Sequence, residues 1–322
     1  MTSGRTVINY GIPVGLAGGL GLAALILFLK NLRSEAARSI PWKRLFRWTL
    51  WSLLAFVVVF VFGDKIAMAL SQYNTAIPLK TTFGVLGIVA LVGAAFVIGS
   101  TLLIFGVAWY FAVRAFGQER LPGWTQMPGA YYRDALMIGL GGAAGLIGLA
   151  TLLQVGSQHW PTMHRTIGAA FGADFGAKVP AVAILAAALQ HSLVTSGLVA
   201  LAASFIASTL RRKWQRYLVF LLGAVSLVGG NWGDSADFAK QLAAQIIFLA
   251  VVVFGVRYIA RFNLLGYFLI LMLLALVEGA SELLRQPDHF YRTNGYGLVA
   301  ALVLLLLWPL AAWLRGPAES AS

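Results

Sequence analysis

The sequence predicts an all-α fold, a polytopic transmembrane helical bundle of about nine helices, and three observations predict it. Apolar residues fill 60% of the 322 positions, while Asp, Glu, Lys and Arg together make up 11%, against roughly 25% in a soluble domain. The apolar residues fall in long runs rich in Leu, Ala, Val and Phe, not in ten-residue segments of alternating polarity. Only helices or closed barrels satisfy their backbone groups in hydrocarbon, and runs of this kind select helices. Finally, the bases gather in alternate connections between the runs, as they do where a chain crosses a bilayer repeatedly.

Apolar windows lie at about 11–29, 47–70, 84–113, 135–155, 179–209, 217–230, 242–256, 262–277 and 295–314. A span needs roughly 20 residues to cross a ~30 Å core. The first run, Ile12 to Leu29, follows a single early base, Arg5, and has no small-residue cleavage site before Lys30. It reads as a retained helix and not as a cleaved signal. The segment 30–47 carries six bases beside Trp42, Phe46 and Trp48. It reads either as an amphipathic helix lying on anionic lipid or as a basic loop that sets orientation. The fifth window is long enough to tilt or to start in the interface, and the sixth to eighth are the shortest. Gly11, Gly15 and Gly19 in the first run and Gly141 and Gly145 in the fourth repeat every four residues. Such a small-xxx-small pattern predicts a packing seam.

Odd-numbered connections hold 15 Lys and Arg: Lys30, Arg33, Arg38, Lys43, Arg44 and Arg47; Arg114, Arg120 and Arg133; Arg211, Arg212, Lys213 and Arg216; Arg257 and Arg261. Even-numbered connections hold six: Lys80, Arg165, Lys178, Lys240, Arg285 and Arg292. Because cytoplasmic loops collect bases, the odd connections are expected in the cytoplasm, the N-terminus outside and the C-terminus, after Arg315, inside. The whole chain, 1–322, then reads as one integral domain of a cell (inner) membrane, with outer loops at 156–178, 231–241 and 278–294. The formal charge of +13 is thereby assigned to anionic lipid at the basic connections and not to nucleic acid. A membrane-protein partner is compatible with the composition. The chain has no cysteine, which excludes disulfides, thiolate nucleophiles and Cys-ligated metals.

Acids collect at the expected outer side: Asp64, Asp174, Asp234, Asp237, Glu278, Glu282 and Asp288, with His159, His164 and His289. Carboxylates and imidazoles bind divalent metals and move protons near neutral pH. Asp234, Asp237, Glu278, Glu282 and His289 therefore form a candidate outer-face cluster. The bland reading is that acids sit outside because bases sit inside. None of the recognised metal spacings occurs: no His-Glu-x-x-His, no calcium loop and no Glu-x-x-His pair. No cofactor can be read from the sequence.

His191 differs from the others in depth. It lies about twelve residues, hence ~18 Å, into the fifth run, among Gln190, Ser192, Thr195 and Ser196. An ionisable group at that depth points to a proton or polar site, with Gln190 and Thr195 as its companions. A neutral histidine bonded between helices is the structural alternative. His191 and Thr195 share a face at i, i+4 spacing. Ser192 is turned about 100° from His191, so the two do not form a dyad. Gly139-Leu-Gly141-Gly142 has no preceding strand and is not a nucleotide loop. There is no Gly-x-Ser-x-Gly elbow either.

The phrases Asn74-Thr-Ala-Ile-Pro-Leu-Lys80, Tyr131-Tyr-Arg-Asp-Ala-Leu136 and Gln286-Pro-Asp-His-Phe-Tyr291 resemble membrane portions of long bacterial proteins of the CPBP group. That group comprises the CAAX-protease and bacteriocin-processing intramembrane proteases. The resemblance implies a bacterial inner-membrane protein. The family's catalytic core uses paired glutamates in Glu-Glu-x-x-x-Arg, followed by histidines on later helices. No adjacent glutamates occur in this chain; the nearest shape is Glu278-x-x-x-Glu282-x-x-Arg285. With no evident general base to activate water, the resemblance implies a non-catalytic or accessory relative. Two other classes remain open: a small-solute or proton-coupled permease using His191, and a membrane enzyme acting on lipid-linked substrate through Asp234, Asp237 and His289.

Overall fold

In a computed structural model of the chain, residues 11–63, 66, 71, 78–117, 129–158, 177–228, 235–260 and 263–315 are described. They form helices and no strand. In order these are α1 (Ile12–Lys30), α2 (Glu35–Arg38), α3 (Trp42–Phe62), α4 (Leu79–Phe116), α5 (Gly129–Gln158), α6 (Pro180–Thr209), α7 (Lys213–Leu227) and α8 (Ser235–Phe254). A π-helix (Gly255–Ala260), α9 (Leu264–Leu284) and α10 (His289–Arg315) complete the chain. Eight of these helices are long and apolar enough to cross a membrane. The all-α bundle expected from the apolar runs is the fold observed.

The sixth window departs from the expectation of a full span. It forms α7, 15 residues long, which is only ~22 Å at 1.5 Å per residue. Chain direction nevertheless points α7 away from the basic end. Gly279 of α9 lies against Ile184 near the start of α6, and Val199, near the end of α6, packs against the cluster that holds Tyr267 near the start of α9, so α6 and α9 run antiparallel. The segment between them must leave and return to one end; α8 and the π-helix form the return, and α7, packed on α8, covers part of the outward path.

The basic connection is not one continuous helix: 35–38 form a single turn, and 42–47 already belong to α3. The N-terminus of the single turn, α2, is capped by the Ser34 hydroxyl accepting from the Ala37 amide. Pro41 then precedes α3, where it adds the fixed φ that favours a helix start. Ala37 and Ile40 are buried with Phe28 of α1, Leu45 of α3, Tyr110 and Phe111 of α4, and Phe205 of α6. This aromatic cluster ties the basic end together, and the rings meet edge to face at 4.8 to 5.4 Å, a favourable geometry for aromatic pairs.

The predicted glycine seam is displaced. Gly15, Gly19, Gly141 and Gly145 have nothing within 4 Å of an added Cβ, so these four meet no neighbouring helix among the described residues. The close approach is made by Gly139 and Gly142 of α5, where a Cβ would fall 2.7 Å from Leu269 and 2.5 Å from Ile270 of α9. Gly279 and Gly295 do the same for α6 and α10 against α9. Spacing alone shows which glycines share a face; it does not show which face meets a neighbour.

Candidate functional site

Helix α6 is the hub: it packs on α3, α4, α9 and α10. Its neighbours occupy separate sectors. Ile184 and Ala188 sit with Met272, Leu276 and Leu298, so this sector meets α9 and α10. Gly197 lies against Ile104 and Phe105, and the Ser204 hydroxyl donates to Ala200 O at 2.6 Å and approaches Ala108 O at 3.4 Å, so a second sector meets α4. The buried side of Leu193, Ser196 and Ala200 lies between them, where α3 packs. At about 100° per residue, Ala187, His191 and Leu198 fall in the remaining sector, between α4 and α9, and all three are exposed.

Helix α9 has a matching open sector. Gly266, Leu269 and Ile270 meet α5, Leu284 meets Gly295 of α10, and Gly279 meets α6. Leu271, Leu274, Glu278 and Glu282 occupy the sector left over, and all are partly exposed. On both helices the open sector lies on the side of the α6–α9 contact away from α10. His191 and the two glutamates therefore face one cleft.

The far wall of this cleft is the layer α1–α7–α8. Helix α1 touches α4 and packs on α7, α7 packs on α8, and α8 continues into the π-helix that touches α5. Contact with the rest of the bundle is made at the basic end. There Val256 of the π-helix, with Val199, Leu264 and Ile270, packs against Ile138 and Tyr267, an apolar floor. Above it α8 is sparsely covered, with Asp237 its one buried residue among those described.

Depths follow from helix rise. His191 is level with Met272, near the middle of α9, and eight residues, hence ~12 Å, from Val199 in the floor. Its Nε2 is 3.2 Å from the Thr195 hydroxyl, the contact expected from their spacing. Gln190 is half-buried toward the α4 side. Glu278 is six residues from the end of α9 at Leu284, roughly 9 Å from that end and a similar axial distance from His191. Glu282 lies one turn further out.

The described members of the outer-face cluster do not come together: Glu278 and Glu282 face the cleft, while Asp237 and His289 stand on α8 and α10. Asp237 is buried in the first turn of α8 and pairs with Lys240 at 3.9 Å, a position where the helix dipole favours an acid. His289 is exposed at the start of α10 beside Thr293, whose hydroxyl is 3.4 Å from Nδ1. Asp288 accepts from the Phe290 amide at 2.7 Å and so caps the same helix. Helix α10 packs on α5, α6 and α9, whereas α8 packs on α7 and the π-helix. Asp64, Asp174, Asp234, His159 and His164 lie outside the described residues. Among the described residues no three His, Asp or Glu side chains form a group able to hold a metal ion.

A buried hydroxyl layer escaped the sequence reading. Thr49 and Ser52 of α3, Thr101 of α4, and Ser192, Ser196 and Ser204 of α6 are all buried. Among the described residues, the hydroxyls of Ser52, Thr101 and Ser192 find no hydrogen-bond partner. Ser192 is thus turned into packing while its neighbour His191 faces the cleft, so the two act separately. The available signal was small polar residues at three- and four-residue spacing in α6, which is common to many packed membrane helices. No family model, no curated protein and no solved structure matches this chain.

Proposed function

We propose that the chain is a multi-pass permease, or the permease subunit of a larger transporter, that carries a proton alone or with a small solute through the α6–α9 cleft. The observation that carries this reading is the depth and direction of His191. It stands on the cleft wall at mid-span, bonded to Thr195, with Glu278 and Glu282 further out on the same cleft. Imidazole exchanges protons near neutral pH, and ionisable side chains inside membrane bundles mark ion and proton pathways. The apolar floor at Val256 and Tyr267 acts as the closed end of the route, and the glutamates draw cations toward the open one.

The test is proton uptake into proteoliposomes that hold a pH-sensitive dye, driven by an imposed pH gradient. His191→Ala abolishes uptake and Thr195→Val slows it, while Leu193→Ala, which alters the buried side of the same helix, leaves it near the native rate. Native uptake in His191→Ala overturns the reading.

The resemblance to CPBP-type intramembrane proteases supports a second reading, an accessory relative without catalysis. Glutamates and a histidine do face one cleft, but Glu278 and His191 are roughly 9 Å apart along the axis and the glutamates are four residues apart, not adjacent. Metal-dependent cleavage of a membrane-embedded peptide by the purified chain would replace the permease reading by an enzymatic one.

A further inference from the structure

At the basic end, α3 and α4 enclose an open groove of about 460 Å³ lined by Trp42, Lys43, Phe46 and Leu102. Its shape depends on Gly106: a Cβ there would lie 2.8 Å from Cη2 of Trp42, so only the missing side chain lets the indole lie against α4. Trp42 and Phe46 remain nearly half exposed. Phe46, Leu50 and Leu54 continue up α3 as exposed apolar residues, a track of about 12 Å from first to last. Lys43 lines the groove, Arg47 is exposed one turn further along α3, and Lys43 belongs to neither ion pair found among the described residues.

We infer that this groove seats one anionic glycerophospholipid of the surrounding bilayer. Its phosphate sits against Lys43 and Arg47, its glycerol beside the Trp42 indole, and one acyl chain runs along Phe46, Leu50 and Leu54. The charge selects the occupant. A base beside an apolar groove at headgroup depth favours a negatively charged headgroup over a zwitterionic one, and each Lys or Arg near an anionic surface contributes enough for about a fivefold preference. An indole with an apolar body and one N–H donor suits the same boundary.

Quenching of tryptophan fluorescence by brominated lipids tests this on the intact chain in zwitterionic vesicles. The chain has ten tryptophans, so the difference between native protein and Trp42→Phe isolates Trp42. Brominated phosphatidylglycerol is expected to quench the Trp42 component at a several-fold lower mole fraction than brominated phosphatidylcholine. Lys43→Gln is expected to reduce that preference about fivefold, and Lys43→Arg to keep it. Native mass spectrometry supplies an independent measure: one phosphatidylglycerol retained per native chain and lost in Lys43→Gln. Equal quenching by the two lipids, or an undiminished preference in Lys43→Gln, overturns the assignment.

Discussion

A single methyl group added at Gly139 probes how closely α5 is pressed on α9. The new Cβ would lie 2.7 Å from Cβ of Leu269, an atom fixed to the α9 backbone that no rotamer change can move. Ordinary carbon contacts are about 3.5 to 4.0 Å, so the helices must part by about 1 Å there. Overpacking of this kind costs about 1–3 kcal/mol, offset by up to ~1 kcal/mol from the better helix propensity of alanine. Gly139→Ala is thus expected to lose about 1–2 kcal/mol. Gly141→Ala is the internal control, because it lies two residues away on the same helix with nothing within 4 Å. It should be neutral or gain up to ~1 kcal/mol. Unfolding in mixed micelles, followed by far-UV circular dichroism as denaturing detergent is titrated, reads the difference of about 1–3 kcal/mol between them. Equal losses, or a larger loss in Gly141→Ala, would refute the α5–α9 contact argued above.

The hydroxyl layer gives a second contrast. Thr101→Val removes a buried hydroxyl that finds no partner among the described residues, so the same unfolding titration should show it neutral or stabilised by up to ~1 kcal/mol. Ser204→Ala, which loses the bond to Ala200 O, should not gain. Asn294 of α10 accepts the Ala181 amide at 3.1 Å in the first turn of α6; Asn294→Ala should cost about 1 kcal/mol, and an unchanged midpoint would show that water replaces the bond. Because the chain has no cysteine, His191→Cys can be labelled in an otherwise native background. A small membrane-impermeant thiol reagent should reach it from the acid-bearing side and not reach Leu193→Cys; labelling of both, or only from the basic side, contradicts the cleft.

Much of this architecture was legible because solvent imposes it. An apolar run must become a helix in hydrocarbon, so Pro180–Thr209 emerges within a residue of the window 179–209. The i, i+4 pairing of His191 with Thr195 follows from helix geometry alone. The sixth window was harder to place, since a short run carries no mark of how far it travels. Its direction became clear only from the antiparallel course of α6 and α9.

The orientation of helices about their own axes was the part hidden from the sequence. Lipid and protein interior are both apolar, so a membrane helix carries little of the polar-against-apolar contrast that shows the core face of a soluble one. For this reason the glycine repeat at Gly141 and Gly145 misled while Gly139 and Gly142 made the contact. The same reasoning explains why the cleft could not be read in advance. His191 and Glu278 are 87 residues apart, and what joins them is the position of α10. By covering one side of the α6–α9 contact through Leu298 and Gly295, α10 leaves the polar side chains of both helices to face the other side together.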